Sequence, residues 1–373
     1  MARYGFTTGS CSAAAAKAAS YMLLSGKKKE SISIETPKGI TFDAKITDIK
    51  ISESEVSCAV IKDGGDDPDI TTGAHVFARV SYLDDGEKKI LISGGVGVGV
   101  VTRPGLDQPV GEAAINSTPR RMIEKEVLEV MELFDYQGSL NVTISIPEGV
   151  ELAKKTFNPK LGIKDGISVL GTTGIVEPMS LEAIRDTIFV ELRQKRALGH
   201  DYVAVSFGNY GLEFMKRTYD FDLDKSVKCS NFVGDTVKMA KEFGFRGMLL
   251  CGHIGKLSKV AGGMLNTHSK YGDCRIEVIK ECVKKYLNDE ALLKRLSECV
   301  VTEDAVDLID TVEGLRERVM DEMMQRILEN LRRGNGEIEI ECMMYSNKHG
   351  LLAKSDGAMD FLDIIRKEMK SYE

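Results

Sequence analysis

Tyr202-Val-Ala-Val-Ser-Phe-Gly-Asn-Tyr-Gly211 is the stretch on which the fold turns. A short apolar run closes on glycines, which reads as a buried strand, Tyr202–Phe207, leading into the loop Gly208–Gly211. The same grammar surrounds it. Downstream, Asn231–Phe243 reads as a helix and Gly247–Cys251 as a strand. Helices then run from Arg275 to Gly334, and Glu337–Tyr345 closes as a strand. Upstream, the strand Ile167–Leu170 runs into Gly171-Thr-Thr-Gly174. Ser180 then caps a helix whose Leu181, Ile184, Ile188 and Leu192 share one face. Strands taking turns with helices predict an α/β domain with a mainly parallel, Rossmann-like three-layer sheet.

Residues 1–155 follow a different pattern and predict an α+β domain. Ser10 can cap an alanine-rich helix through Cys11–Leu24, stopped by Gly26. Strand patterns follow at Ser31–Glu35, Thr41–Ile46, Val56–Ile61, His75–Tyr82 and Lys89–Ile92, with Asp85-Gly86 as a hairpin signal between the last two. Pro119 opens a helix to Phe134, and Leu140–Ile146 alternates as a further strand. The expected division is therefore 1–155 and 156–373, the second domain ending in a C-terminal tail, with Gly149–Lys164 as the linker. No tandem repeat or low-complexity segment interrupts the chain.

The length of 373 residues fits two cores, and 43% hydrophobic with 29% charged residues describes a globular chain. No apolar run is long enough to span a bilayer, and Cys11–Ala19 is too short for a signal peptide and broken by Lys17. The eight cysteines form no C-x-x-C pair, so a protein-bound metal is not expected and the thiols read as reduced. The expectation is a cytoplasmic protein. A net charge of −7 argues against a nucleic-acid partner, and any anionic ligand must be met by local positive charge.

Six motifs carry candidate chemistry. Gly95-Val-Gly97-Val-Gly99 follows a strand, but Pro104-Gly105 prevents the helix that a dinucleotide fingerprint needs, leaving a glycine loop or a structural turn. Gly171, Thr172, Thr173 and Gly174, and Gly208, Asn209, Tyr210 and Gly211, follow strands, where open parallel sheets bind ligands; ordinary turns are the bland alternative. Cys251-Gly-His253-Ile-Gly-Lys256-Leu257 also leaves a strand. With His268, Lys259 and Lys270 it offers candidate acid/base groups, His253 and His268, and an anion-binding wall. Thr7, Thr8 and Ser10 precede a helix whose N-terminus suits an anion or simple capping; Cys11 there is a small packed residue rather than a nucleophile. Asp63-Gly-Gly-Asp-Asp-Pro-Asp69 reads as a solvated acidic turn rather than a calcium loop, whose distal glutamate it lacks.

Taken together, these strings resemble one family. They include Tyr4-Gly-Phe-Thr-Thr-Gly-Ser-Cys11, Lys62-Asp-Gly-Gly-Asp-Asp-Pro-Asp69, Thr102-Arg-Pro-Gly-Leu106, Pro109-Val-Gly-Glu-Ala-Ala-Ile-Asn116 and Pro119-Arg-Arg-Met-Ile123. Phe157-Asn-Pro-Lys-Leu-Gly162, Gly171-Thr-Thr-Gly-Ile-Val-Glu-Pro-Met179, Gly208-Asn-Tyr-Gly211 and Gly252-His-Ile-Gly-Lys-Leu257 continue the series. The family is the cobalt-precorrin-5B (C-1)-methyltransferase of anaerobic cobalamin biosynthesis. The chain departs from it at Val96, where an acidic residue is frequent, and at Thr72, where a histidine is.

The resemblance implies S-adenosylmethionine as methyl donor and a carboxylate-rich corrinoid as acceptor, with cobalt only as part of that substrate and cobalt-precorrin-6A as product. On that reading, the two glycine loops hold the donor. The corrinoid lies between the domains, gripped by Arg103, Lys256, Lys259 and Lys270 with the hydroxyls of Thr7, Thr8 and Ser10. Transfer from a sulfonium is an in-line displacement, so proximity and orientation supply most of the catalysis. A proton leaves the macrocycle to His253, His268 or water. The competing classes are a dinucleotide-dependent oxidoreductase, which needs a glycine fingerprint opening a helix, and a non-catalytic tetrapyrrole-binding protein, which would bind without turnover.

Overall fold

The computed structural model describes residues 3–84, 89–178, 180–209 and 211–370. The chain divides into two compact units, Met1–Ser180 and Leu181–Glu373.

The first unit is built on a sheet in the order 47–51, 55–61, 75–83, 139–145, 90–94. Alternation puts one face inside. Val56, Cys58 and Val60 pair across from Val80, Ala78 and Val76, and all six are buried. On that face lies the helix Thr8–Ser25, in which Cys11 and every alanine from Ala13 to Ala19 are fully buried. A helix apolar all round belongs inside a core, and side chains of one carbon let it approach the sheet closely. Cys58 Sγ accordingly sits 3.3 Å from the carbonyl oxygen of Ala15. The one cation in this stretch, Lys17, reaches Glu126 at 2.7 Å and Glu129 at 3.0 Å on the helix Ser117–Leu133.

Two expectations about this unit are corrected. The strands His75–Leu83 and Ile90–Gly94 are not a hairpin, because Ser139–Ser145 lies between them, antiparallel to the first and parallel to the second. The turn residues Asp85-Gly86 lie outside the described residues. The boundary falls after Ser180 instead of after residue 155, since the following segment continues to pair inside the first unit. Ile163–Lys164 pairs with Val100–Val101, Gly166–Ile167 with Gly97–Val98, and Ile175–Val176 with Gly5–Phe6. The segment expected as a strand at Ile167–Leu170 is a strand only at Gly166–Ile167, and with its loop it belongs to this unit and not to the second sheet.

The same pairings explain the Gly95–Gly99 string. Gly97 has φ +77°, and a Cβ there would fall 1.7 Å from the Ile146 carbonyl oxygen, while a Cβ on Gly149 or Gly166 would strike the Gly97 carbonyl. The glycines let several backbones meet. Gly97–Val98 and Val100–Val101 are short strands, and no helix starts there.

The second unit holds a mixed sheet in the order 227–228, 202–206, 247–253, 339–346, 350–354. The first three pairings are parallel and the last antiparallel. Val203 and Val205, with Met248, Leu250, Ile340 and Cys342, face a core shared with the helices Leu181–Ala197, Val233–Glu242 and Ile254–Ala261 and those from Arg275–Tyr286 to Leu315–Arg332. Ala204, Leu249, Cys251 and Met343 face the other way, onto Met215 of the helix Leu212–Tyr219 and onto Phe361, Leu362 and Ile365. Those last three belong to the helix Ala358–Lys370, which with the strand Gly350–Lys354 replaces the expected C-terminal tail. Its signal lay in Ala358, Phe361, Leu362 and Ile365, spaced as one helical face.

Candidate functional site

In the second unit the chain runs from 202–206 outward to 227–228 and then returns to the other side of 202–206 with 247–253. The order reverses between 202–206 and 247–253. The connections leaving these two neighbours go to opposite faces: Leu212–Tyr219 packs with Leu249 and Met343, Ile254–Ala261 with Met248 and Leu250. Such a reversal opens a crevice beyond the carboxyl ends of the strands.

Phe207, Gly208, Asn209 and Gly211 follow the carboxyl end of the strand 202–206. Ser206 Oγ, fully buried, bonds to Ser226 Oγ at 2.9 Å and donates to the Gly208 carbonyl at 3.3 Å. Gly208 has no atom within 4 Å of its absent Cβ, and Asn209 is exposed. Gly211 differs, with φ +87° and the Tyr345 ring directly behind it. Tyr210 lies outside the described residues.

His253 ends the opposite strand and caps the helix Ile254–Ala261, its Nδ1 accepting from the Gly255 N–H at 3.1 Å. Its Nε2 is 2.8 Å from Glu303 Oε1 but at an angle that makes no hydrogen bond, and its ring meets the Tyr345 ring edge-on at 5.9 Å. His268 repeats the arrangement: it caps Ser269–Tyr271, with Nδ1 accepting from the Lys270 N–H at 3.1 Å. An imidazole nitrogen that accepts a backbone N–H is unprotonated and engaged. Both candidate bases thus use, for capping, the lone pair that proton abstraction would need.

Beside the Ile254–Ala261 helix lies a cavity of about 320 Å³, lined among others by Asn231, Lys256, Lys259, His268 and Arg275. Asn231 Oδ1 accepts from Lys256 Nζ and, at 3.1 Å, from Thr267 Oγ1. Lys259 is 6% exposed, and its Nζ donates to the carbonyls of Gly272 at 3.0 Å and Thr267 at 3.4 Å. Burial, and after it the charge of Lys259, push the Lys256 ammonium below its usual range. Asp273 is committed to Arg275, whose guanidinium hydrogen-bonds it at 2.6 to 2.9 Å and brings its carboxyl down to about 2. Lys270 is exposed, its Nζ lying 4.9 Å from the Tyr271 ring centroid.

The remaining expected site residues lie in the first unit. Thr7 caps the first helix, its Oγ1 accepting from the Ser10 N–H at 3.2 Å; Ser10 Oγ donates to the Gly174 carbonyl at 2.6 Å. Thr8 Oγ1 donates toward the Leu170 carbonyl at 3.3 Å, and the Gly9 N–H donates to the same oxygen at 3.1 Å. The Cys11 N–H is taken by the Thr7 carbonyl at 3.0 Å. The helix N-terminus expected to hold an anion is thus filled by the chain's own backbone. Gly171 and Gly174 fit against Thr7 and Thr36 with φ of +135° and +79°, while Thr172 is exposed and Thr173 half-buried. This loop and the Gly208 loop belong to different units, not to one sheet. Arg103 is exposed, with Nη1 donating to the Lys160 carbonyl at 3.3 Å and its stem over Gly162. Burial pushes the Cys11 thiol up to about 12.

Sequence reading places Asn231 and Arg275 only at helix starts and gives no role to Tyr345 or Glu303. Their side chains reach the site across loops of differing length, so no local spacing marks them.

Among the described residues, no helix is long and apolar enough to cross a membrane. The model for the CbiD family matches residues 1–178, and that for the CbiD C-terminal domain matches residues 266–356. The chain is 42% identical over 376 residues to a cobalt-precorrin-5B C(1)-methyltransferase of Ruminiclostridium cellulolyticum, with 98% of this chain and 95% of the relative covered. Identity to a cobalt-precorrin-5B C(1)-methyltransferase of Alkaliphilus metalliredigens is 43% over 367 residues, covering 98% and 96%. Among solved structures, the cobalamin biosynthesis protein (cbiD) of Archaeoglobus fulgidus aligns with TM-score 0.40 and 26% identity over 72% of this chain and 84% of that one. Identity above two-fifths along almost the entire length, with both family models in order, means that the chain belongs to the CbiD family.

Proposed function

We propose that the chain transfers a methyl group from S-adenosylmethionine to C-1 of cobalt-precorrin-5B, giving cobalt-precorrin-6A. The observation that carries this is the near-full-length identity to relatives named for that reaction. The cobalt enters and leaves with the substrate.

The donor lies in the crevice of the second unit, against Gly208, Asn209 and Gly211. The order reversal between 202–206 and 247–253 supports this placement, as does the open space where a Gly208 side chain would be. On this reading the second unit is a Rossmann-like carrier, its antiparallel last strand an edge addition. Backbone N–H groups of a glycine loop can meet the ribose or the adenine, and a side chain at 208 would stand in the way.

In the reaction the carbon–sulfur bond of the sulfonium breaks as the ring carbon C-1 takes the methyl group. S-adenosylhomocysteine leaves, and a proton departs elsewhere on the macrocycle. The protein holds donor and acceptor in line. The proton passes to solvent, because His253 and His268 are engaged as caps. Exposed Lys270, in the same unit as the proposed donor site, is available to an acid group of the substrate. The chain acts in the cytoplasm, on a small-molecule substrate and with no nucleic-acid partner. Anaerobic incubation with S-adenosylmethionine and cobalt-precorrin-5B, read by mass spectrometry, tests the proposal. One methyl group gained in place of one hydrogen, with S-adenosylhomocysteine formed in equal amount, is the expected result; an unchanged corrinoid overturns it.

A further inference from the structure

The cavity beside the Ile254–Ala261 helix is lined by the cations Lys256, Lys259 and Arg275 and by a single carboxylate, Asp273, so positive charge is in excess there. Lys256 has the Asn231 amide oxygen as partner, and Lys259 has two backbone carbonyls. Among the described residues, neither ammonium has a carboxylate within ion-pair distance, and the nearby Asp273 is held by Arg275. Lys259 is 6% exposed and Lys256 half-buried. Holding like charges close together in a partly buried place is unfavourable, and the lowered proton affinity of Lys256, from burial first and the charge of Lys259 next, reflects it. Surface lysines need no such explanation, but two lysines turned into one cavity do.

We propose that this cavity is a carboxylate site, in which one acid group of a bound ligand lies between the Lys256 and Lys259 ammonium groups. The volume, about 320 Å³, is room for a carboxylate and the short chain that carries it. Its place follows from the fold, because Lys256 comes three residues after His253 at the carboxyl end of the 247–253 strand. The Asn231 amide and the Arg275 guanidinium add donors at the rim. The identity of the ligand rests on the methyltransferase reading, which supplies two sources of the group: the methionine end of the donor, or an acid arm of the corrinoid.

Isothermal titration of the full chain separates them. The probes are S-adenosylhomocysteine, 5′-methylthioadenosine, which lacks the amino-acid end, and cobalt-precorrin-5B under anaerobic conditions. Lys256→Gln removes the charge and keeps a donor toward Asn231; Lys259→Gln is the second variant, and thermal melts check the folding of both. A charge-assisted bond predicts a loss of about 10- to 100-fold in affinity. If S-adenosylhomocysteine weakens by that factor and methylthioadenosine does not, the donor's carboxylate occupies the cavity. If the corrinoid alone weakens, one of its acid arms does. If folded Lys256→Gln binds all three as the wild type does, the carboxylate site is overturned. Failure of the wild type to bind S-adenosylhomocysteine would instead count against the donor reading, and the corrinoid titration would still test the cavity.

Discussion

The Cβ that Gly211 lacks would fall 2.2 Å from Cζ of Tyr345, whereas the one that Gly208 lacks would meet nothing within 4 Å. The glycines of one loop thus have different reasons to be glycine. Gly211 is required by the fold, through its φ of +87° and the ring behind it. Gly211→Ala is expected to cost about 2–4 kcal/mol, from the left-handed backbone and the overpacked ring together. Gly208→Ala is expected to leave the melting temperature unchanged and to weaken S-adenosylhomocysteine about 10-fold or more by blocking backbone approach. Calorimetry on the two variants checks this. Unchanged donor affinity in Gly208→Ala would place the donor elsewhere.

Lys62 is 2% exposed and paired with Asp69. Burial works against the Asp69 carboxylate, but Lys62 and the Thr71 hydroxyl outweigh it and hold the group below its usual range. Its folded value is therefore lower than its unfolded one of about 4. The stability it contributes is present above about pH 4 and is lost as pH falls toward the folded value. Asp69→Asn leaves the Lys62 ammonium buried without its ion pair and should cost about 3–5 kcal/mol at neutral pH. The variant should also lose less stability than the wild type on acidification below pH ~4. Urea melts at several pH values measure both effects, and parallel curves would refute the assignment.

His253→Asn separates capping from proton transfer. Asparagine is itself a good N-cap, so the Ile254–Ala261 helix should keep its start and the protein its stability. Turnover is expected within about threefold of wild type, since loss of a general base would instead cost about 10²- to 10⁴-fold. Single-turnover kinetics with the corrinoid decide between the two.

Cys11 sits at a helix N-terminus, yet its thiol is pushed up to about 12 by burial. Ellman's reagent at neutral pH should leave it unmodified in the native protein and reach it only after denaturation. Cys11→Ala, which matches the neighbouring alanines, should retain methyl transfer. Rapid labelling at Cys11, located by peptide mass spectrometry, would contradict the burial.

Much of the fold could be read along the chain because it depends on local periodicity. The strand Tyr202–Ser206 and the alanine helix are buried on every side, as their apolar runs announce, and Val142 and Ile144 bury the face that their alternation announces. The switch to strand–helix alternation was legible too, and with it the loop at Gly208. The boundary was not. Segment 156–180 looks like the opening of the second sheet, because a two-residue strand such as Gly166–Ile167 says nothing about which partner it will find.

The sequence by itself determined the element types, the family and the reaction expected, since periodicity and ordered motifs are properties of the chain. Only the tertiary structure decided what each motif does. Ser139–Ser145 inserts where a hairpin was expected, Thr7, Thr8 and Ser10 close on the 168–174 backbone, and the two histidines cap helices. It also gathered Asn231, Lys256, Lys259, His268 and Arg275 around one cavity. The physical reason is common to all of these. A strand edge, a hydroxyl, an imidazole nitrogen or an ammonium group is satisfied by whichever group folding brings within about 3 Å, and that partner is set by packing across the chain rather than by neighbours in it.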